Sequence, residues 1–196
     1  MTGRNRAQTP LDFAIAMGIF LLTVTFVFTF IPSLTAPFVD GDQDKSATAD
    51  RVASHLAEGA LGDPAEPFVV DDSCAEVFFN ESTDDDNIPS TCGYSGDNLS
   101  ERVGVDTDRL QVNVTIEQVD ATASGDDRFR TVCVDKDGNV SHAGNASVNC
   151  DDDKEFVVGE TPGDDDSVVV ARRIVTIPGC TFDVDACDVT LKVRVW

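Results

Sequence analysis

Residues 13–31 read FAIAMGIFLLTVTFVFTFI and contain no charged side chain. As a helix, nineteen residues rise about 28 Å, close to the roughly 30 Å thickness of the hydrocarbon layer of a bilayer. The threonines in this run are tolerable because a helical hydroxyl can bond to a carbonyl one turn back. Pro32 and Pro37 follow, and we expect them to mark the exit from the helix. The stretch predicts a transmembrane helix.

The flanking charges predict how this helix is oriented. Arg4 and Arg6 precede it, whereas the chain from Asp40 onward holds 35 acidic and 12 basic side chains. Under the positive-inside rule, basic flanks stay in the cytoplasm. We therefore predict a single-pass protein of the cell membrane, with a cytoplasmic N-terminus and an extracellular C-terminal domain.

A cleaved secretory signal and a buried helix of a soluble domain are the alternatives for this segment. A secretory signal also has a basic start, but its apolar core spans about 7–15 residues. Here the run is longer, Pro37 follows the small residue Ala36 where cleavage would occur, and Asp12 stands at the start. The length and the absence of charge also disfavour a buried helix.

The composition points to an environment rather than to an activity. The 196 residues include 36 acidic and 14 basic side chains, which gives a net charge of −22, and 41% of the residues are hydrophobic. Asp outnumbers Glu by 28 to 8. Such a surface stays soluble in concentrated salt, where the Debye length is about 3 Å at 1 M. We predict a halophilic protein with an acidic surface; an acidic extracellular or calcium-binding protein is the alternative. The charge disfavours nucleic acid as a partner.

A second, amphipathic helix is predicted after the prolines, within a linker region at 37–66. Ser46 can cap it, and Gly62 and Pro64 close it. Its apolar residues fall on one stripe: Ala49, Val52, Ala53, Leu56 and Ala60.

From residue 67 to residue 196 the hydrophobic period changes from helical to alternating. Leu110–Ile116 and Val189–Val195 alternate strictly between apolar and polar residues, which is typical of half-buried antiparallel strands. Further strands are predicted at Ala75–Phe79, Phe129–Val134, Phe156–Val158 and Val168–Ile177. The predicted fold class is α+β: an N-terminal transmembrane helix, the amphipathic helix, and an acidic, β-rich antiparallel extracellular domain.

Six cysteines lie in the predicted outer domain, all after residue 73. An even number in an oxidising compartment favours disulfides, although six cysteines allow 15 connectivities. A zinc site is the rival, but there is no CxxC pair and there are only two His. We predict no metal site and no cofactor. Local spacing favours the pairs Cys74–Cys92, Cys133–Cys150 and Cys180–Cys187.

The outer domain also contains five Asn-x-Ser/Thr triplets, which are acceptor motifs for N-glycosylation. Asn113 is predicted on the polar face of its strand, as an acceptor must be, and Asn80 and Asn145 are the other favoured candidates. The five are Asn80, Asn98, Asn113, Asn139 and Asn145.

No pattern of catalytic residues is recognisable. The segment 135–139, DKDGN, lacks the ligand spacing of an EF-hand and is better interpreted as a hairpin turn. The triple-Asp runs are interpreted as solvated loops, with weak cation binding as the alternative. Neither His55 nor His142 has companions at metal-binding or triad spacing. We predict a non-enzymatic protein.

Residues 6–13, RAQTPLDF, resemble the class III signal of type IV pilin-like proteins, and especially of small pilin-like membrane proteins of haloarchaea. The resemblance implies that a prepilin peptidase cuts between Ala7 and Gln8, removing a cytoplasmic leader at 1–7. The transmembrane and assembly helix is then 8–36. Asp12 becomes the fifth mature residue, at a position where the family's carboxylate pairs with the N-terminal amine of a neighbouring subunit.

This resemblance implies a pilin-like or pseudopilin subunit of a type IV pilus or related assembly. Its partners would be the prepilin peptidase, the membrane and other pilin-like subunits, contacted through the N-terminal helix. Two properties of Asp12 agree with that role: the helix macrodipole favours a carboxylate in the first turn, and a charge at the membrane boundary needs a partner. The alternatives are a monomeric membrane-anchored surface domain that binds a ligand or partner, and a secreted or anchored enzyme.

Overall fold

A computed structural model describes residues 8–39, 42–106, 109–120, 123–135, 139–142, 150–180 and 187–196. The chain divides into two units, one ending at Gln43 and the other running from Asp44 to Trp196. The first unit contains a long apolar helix, and the second combines short helices with a mostly antiparallel sheet. The predicted α+β layout is confirmed at this level.

Helix α1 runs from Gln8 to Val39, over 32 residues, and includes the whole predicted span. The prediction that Pro32 and Pro37 end the helix is wrong, because the backbone remains helical through both. A proline has a φ angle compatible with a helix; its missing N–H and the crowding of its ring against the carbonyl four residues earlier can bend a helix without ending it.

Helix α2 (Asp42–His55) is followed by a further turn at Leu56–Ala60, which is kinked at Gly59, where the backbone is not helical (φ of 162°). Ser46 therefore lies inside the helix, and its predicted role as the cap is wrong. Acidic side chains near a helix N-terminus are favoured by the macrodipole, so Asp42 and Asp44 suit an earlier start. The predicted apolar stripe is confirmed, because all its members are at most 1% exposed: Ala49, Val52, Ala53, Leu56 and Ala60.

Helix α3 (Asp72–Phe79) occupies the segment Ala75–Phe79, which the sequence predicted to be a strand. Asp71 caps the helix by accepting hydrogen bonds from the backbone N–H groups of Ser73 and Cys74, at 2.9 and 3.2 Å. The Ser73 hydroxyl also donates to this carboxylate and, with the two backbone donors, holds the pKa of Asp71 below its usual range. The buried residues recur at helical spacing: Cys74, Ala75, Phe78 and Phe79.

Helix α4 (Leu99–Val103) is a short element before the sheet. The Asn98 side chain caps its start by accepting from the backbone N–H of Glu101 at 3.0 Å. Gly104 ends it in the left-handed region, with φ of 62°, where glycine is the least strained residue. Single 3₁₀ turns lie at Asp85–Asn87 and Gly125–Arg128.

Seven strands form the sheet, with the path β3-β2-β1-β7-β6; in addition, β4 pairs with β2 and β5 pairs with β1. All pairings between these strands are antiparallel. The strands are β1 (Val112–Val119), β2 (Phe129–Asp135), β3 (Val140–His142), β4 (Cys150–Glu155), β5 (Val157–Val158), β6 (Val169–Thr176) and β7 (Asp188–Val195).

The strongest alternating patterns are strands, as predicted, and they lie at the centre of the sheet. Strand β1 pairs with β7 over six residue pairs, from Val112 opposite Val195 to Glu117 opposite Thr190. Leu110 lies outside β1. The segment 135–139 joins two antiparallel strands, and the backbone N–H of Asp135 donates to the Asn139 carbonyl at 2.9 Å. A hairpin therefore stands where the sequence predicted one.

Strand β1 is buried on both faces, which the sequence did not predict. Its supposed polar side contains Asn113 at 0% and Thr115 at 2% exposure, and Glu117 is also buried. Both edges of β1 are paired because it lies in the middle of the sheet path. The second face is covered in part by the chain at Val158 and Gly159, whose carbonyls accept from the Asn113 amide. Hydrogen bonds within the domain replace water for these polar groups.

Helix α2 packs against one face of the sheet. Its apolar stripe belongs to the same buried cluster as Val114, Val175 and Val193 of the central strands. An ion pair adds to this contact, with Arg173 Nη2 of β6 lying 2.6 Å from Asp50 Oδ1 of α2. The face of β6 and β7 that carries Val175 and Val193 is therefore the core face, and alternate residues point to the opposite face.

Gly62 lies in the segment that follows α2, against the backbone of Val69. A Cβ atom at Gly62 would overlap the Val69 carbonyl oxygen, and the adjacent Val70 N–H is bonded to the Thr176 carbonyl at 2.9 Å. We expect Gly62→Ala to lower the free energy of unfolding by about 2–4 kcal/mol. Chemical denaturation measures this change.

Gly104→Ala is the matched control for Gly62→Ala. A Cβ at Gly104 would have no atom within 4 Å, so only the left-handed backbone is penalised, at about 1 kcal/mol. Equal losses in the two variants would contradict the overlap at Gly62.

Candidate assembly site

Helix α1 has a surface that is apolar almost throughout. Its window Leu11–Thr29 has a mean hydropathy of 2.2, and none of it is buried within the structure. By length and composition this helix could cross a membrane, a criterion that an N-terminal signal sequence also meets. Asp12 is the one ionisable residue between Gln8 and Val39.

The hydroxyls of Thr23, Thr25 and Thr29 are satisfied within the helix, as the sequence predicted. Each of these three Oγ1 atoms donates to the carbonyl four residues earlier, so these hydroxyls need no partner from the surroundings. The bonds are Thr23 to Ile19 at 2.9 Å, Thr25 to Leu21 at 2.8 Å and Thr29 to Thr25 at 2.8 Å.

Asp12 lies one helical turn after Gln8, and its side chain is exposed. Four residues of helix rise about 6 Å, so a carboxylate here is near the start of α1 and next to the apolar run that begins with Phe13. Gln8 is the first described residue, and Ala7 lies outside the described residues. The predicted cleavage between Ala7 and Gln8 therefore falls at the edge of the described residues and stays a prediction.

The six cysteines form three disulfides, and they are the pairs that local spacing favoured. Cys74–Cys92 links α3 to the loop before α4, Cys133–Cys150 links β2 to β4, and Cys180–Cys187 joins the ends of the β6–β7 connection. The sequence separations are 18, 17 and 7 residues. Closing a loop of about 15 residues restricts the unfolded chain by about 3 kcal/mol.

The glycosylation motifs differ in accessibility. Asn80 is exposed, and its Oδ1 accepts from the backbone N–H of Ser82 at 3.0 Å. Asn98 is exposed at the start of α4, and Asn139 is exposed at the β2–β3 turn. Asn145 lies outside the described residues. At Asn113 the prediction of an accessible acceptor is wrong, because the side chain is completely buried.

The Asn113 side-chain amide is hydrogen-bonded to buried groups of the domain. Its Nδ2 donates to the carbonyls of Val158 and Gly159, at 3.2 and 3.0 Å, and its Oδ1 accepts from the Thr115 hydroxyl at 3.2 Å. We expect mass spectrometry of glycopeptides to find a glycan at Asn80 and none at Asn113. A glycan attached to Asn113 in the folded protein would contradict this burial.

Arg102 is a structural residue that the sequence did not reveal. It is 2% exposed, and its guanidinium donates to five backbone carbonyls that end α3 and line the next loops. Nothing in the spacing around Arg102 distinguishes it from a surface arginine of a short helix. The acceptors are the carbonyls of Val77 and Asn80 at 3.2 Å, Phe78 and Gly96 at 3.0 Å, and Thr83 at 2.5 Å.

Tyr94 lies close to the same part of the core. Its hydroxyl donates to the Cys74 carbonyl at 2.8 Å. Burial raises the pKa of Tyr94 to about 12, against the opposing charge of Arg102, so this donor remains protonated at neutral pH. Phe78 packs edge-on against the Tyr94 ring, with 5.2 Å between centroids.

Metal-binding side chains do not cluster in the part of the outer domain that the structure describes: it contains no group of three or more His, Cys, Asp or Glu side chains that could hold a metal ion. A cleft of about 460 Å³ is lined by Glu81, Asn98, Ser100 and Gln111 among others. The Ser100 hydroxyl there already donates to the Val105 carbonyl at 2.6 Å.

One family of proteins has a sequence pattern that matches residues 4–196, almost the entire chain. The chain belongs to DUF7287, a family of unknown function. Membership covers α1 and the α+β domain together, so both units are part of what defines the family. Comparisons with curated proteins and with solved structures find no match.

Proposed function

We propose that this protein is a non-enzymatic pilin-like or pseudopilin subunit, anchored in the cell membrane by α1. The observation that carries the proposal is the position of Asp12. A single carboxylate lies exposed near the start of a helix that has no other ionisable residue from Gln8 to Val39. A charge next to a hydrocarbon layer is costly unless it finds a partner.

The partner of Asp12 in this proposal is the N-terminal amine of a neighbouring subunit. Cleavage after Ala7 would create that amine at Gln8, one helical turn from Asp12. An ammonium group and a carboxylate form a charge-assisted hydrogen bond, which is stronger than a neutral one. The contact would set the register between neighbouring α1 helices while their apolar surfaces pack together.

The second unit supports an extracellular location for everything after α1. Disulfides persist in oxidising compartments, and all six cysteines of this domain are paired. Arg4 and Arg6 on the other side of α1 favour a cytoplasmic N-terminus. In this proposal the domain forms the exterior of the assembly, with an acidic, glycosylated surface suited to the concentrated salt of a haloarchaeal habitat.

Fractionation of cells that express the full chain tests this function. We expect one pool in the membrane fraction and a second pool in filaments sheared from the cell surface. A membrane pool with no sheared pool would contradict assembly and favour a monomeric surface domain. Protein found only in the medium, beginning near Pro37 or Phe38, would show that α1 is a secretory signal.

A further inference from the structure

The face of β6 and β7 opposite the core carries three basic side chains, in a chain with only 14 basic residues against 36 acidic ones. Arg173 points toward α2, where it pairs with Asp50, and its neighbours on β6 therefore point the other way. We call this surface the β6–β7 face. It consists of Val170, Arg172 and Ile174 on β6 and Thr190, Lys192 and Arg194 on β7.

Two of these basic residues are direct cross-strand neighbours. Arg172 lies opposite Lys192 in the antiparallel register, and like charges in that position are destabilising. Lys192 is compensated by an ion pair with Glu117 of β1. No carboxylate of the described residues forms an ion pair with Arg172, which is exposed. An acidic side chain from another molecule would therefore stabilise the Arg172–Lys192 pair by neutralising the charge of Arg172.

Apolar side chains flank Arg172 on the same face. Ile174 is 71% exposed and Val170 is 39% exposed, at positions on either side of the arginine. Strand β6 ends the path of the sheet, so this surface lies at an edge of the domain. Arginine next to exposed apolar residues is typical of protein–protein interfaces.

An acidic surface suited to this face lies on the other side of the same domain. Asp84 and Asp86 are exposed around the 3₁₀ turn Asp85–Asn87. This turn follows Glu81, whose Oε1 accepts from the Gly159 backbone N–H at 3.2 Å, just after β5. Strand β5 pairs with β1 on the edge away from β7 and β6. The two surfaces are thus at opposite sides of the sheet.

We propose that the β6–β7 face binds the Asp84–Asp86 turn of a second copy of this chain. The two surfaces differ in charge and lie on opposite sides, so the contact is heterologous and can repeat from copy to copy. The inference rests on the proposed function, because subunits aligned by their α1 helices bring neighbouring outer domains side by side.

Salt affects the two parts of this contact differently. At 1 M salt the Debye length is about 3 Å, so ion pairs in direct contact remain while the repulsion between copies of charge −22 is screened. The apolar part, at Val170 and Ile174, does not depend on charge. The contact is therefore expected to form in concentrated salt and to weaken in dilute buffer.

Photo-crosslinking of the full chain in its membrane tests the contact. Benzoylphenylalanine replaces Ile174, and the crosslinked peptides are identified by mass spectrometry. We expect a crosslinked dimer that joins position 174 to residues near Asp84 of another copy. The same probe at Glu58, which is exposed just after α2 and thus on the side of the sheet that α2 covers, serves as the control and gives no such product. A crosslink from position 174 to a different protein would overturn the proposal.

Charge reversal then identifies the partner surface. Arg172→Asp and Asp84→Arg are each expected to reduce the crosslinked dimer about fivefold, and the combined variant is expected to recover most of it. Arg109→Asp, at an exposed arginine outside the face, leaves the yield unchanged. An unchanged amount of crosslinked dimer in both single variants, or no recovery of the dimer in the combined variant, would contradict the contact. Arg172→Gln removes the positive charge without adding an acid, and we expect it to reduce the dimer as well.

The mature N-terminus of the same samples separates this inference from the proposed function. A chain processed to Gln8 without the crosslinked dimer would overturn the contact and leave the function intact. A dimer formed by an unprocessed chain would support the contact and overturn the function as proposed.

Discussion

Arg102→Leu is expected to lower the free energy of unfolding by about 4 kcal/mol. The substitution removes the guanidinium donors to the carbonyls at the end of α3 and in the following loops, among them those of Phe78 and Gly96. A hydrogen bond to a charged group contributes about 1.5–3 kcal/mol, and buried acceptors left without a donor add a penalty. Water entering the space offsets part of the sum. Chemical denaturation in concentrated salt measures the change.

Two further variants show whether the hydrogen bonds of Arg102 cause this loss. Arg102→Lys keeps the charge but offers fewer donors in a different geometry, so we expect a smaller loss, of about 2 kcal/mol. Arg109→Leu changes an exposed arginine and is expected to stay within about 0.5 kcal/mol of the parent. A loss in Arg102→Leu no greater than in Arg109→Leu would contradict the role assigned to Arg102.

Asp12→Lys is expected to have the largest effect on assembly. The variant places a cation beside the N-terminal amine of the neighbouring subunit, so attraction becomes repulsion. We expect the protein in sheared surface filaments to fall by roughly tenfold or more, while the amount in the membrane stays near that of the parent. Immunoblots of the two fractions measure both quantities.

Asp12→Glu is the matched control, because it keeps the carboxylate and lengthens the side chain by one methylene. It is expected to retain most of the filament pool. Asp12→Asn keeps the size and removes the charge, so we expect an intermediate to severe defect. Normal filaments in Asp12→Lys would remove Asp12 from the mechanism.

The sequence predicted those parts of the fold that depend on local patterns. Strict alternation in Val189–Val195 predicted β7 because a strand has a period of two residues. The cysteine pairs are close in sequence, so spacing favoured them. The apolar run at 13–31 predicted α1, although the passage of the helix through Pro32 could not be inferred from proline's usual effect on helices.

The errors arose where residues outside the predicted segment decide the structure. The five residues of Ala75–Phe79 are too few to distinguish a strand from a buried helix, and the cap at Asp71 determines the outcome. The alternating pattern of β1 places Asn113 on the polar face of the strand. In the fold, however, its amide is buried against the carbonyls of Val158 and Gly159 at the end of β5. Burial depends on contacts between segments that are far apart in sequence.

Among the candidate functional residues, those with a local sequence signal were predicted and those that depend on tertiary contacts were not. Asp12 was recognisable because one acid at the start of a long apolar helix needs no tertiary information to be noticed. Arg102 was not recognisable, since its acceptors come from the end of α3 and from the loops that follow it. The opposition of Arg172 and Lys192 depends on the register between β6 and β7, and no local pattern fixes that register.

The mature N-terminus tests the proposed function most directly. Mass spectrometry of the intact protein from the membrane fraction identifies it, in cells with and without the prepilin peptidase. We expect a chain that begins at Gln8 and that disappears when the peptidase is deleted. A chain that begins at Met1 or Thr2 in both strains would contradict the proposed function.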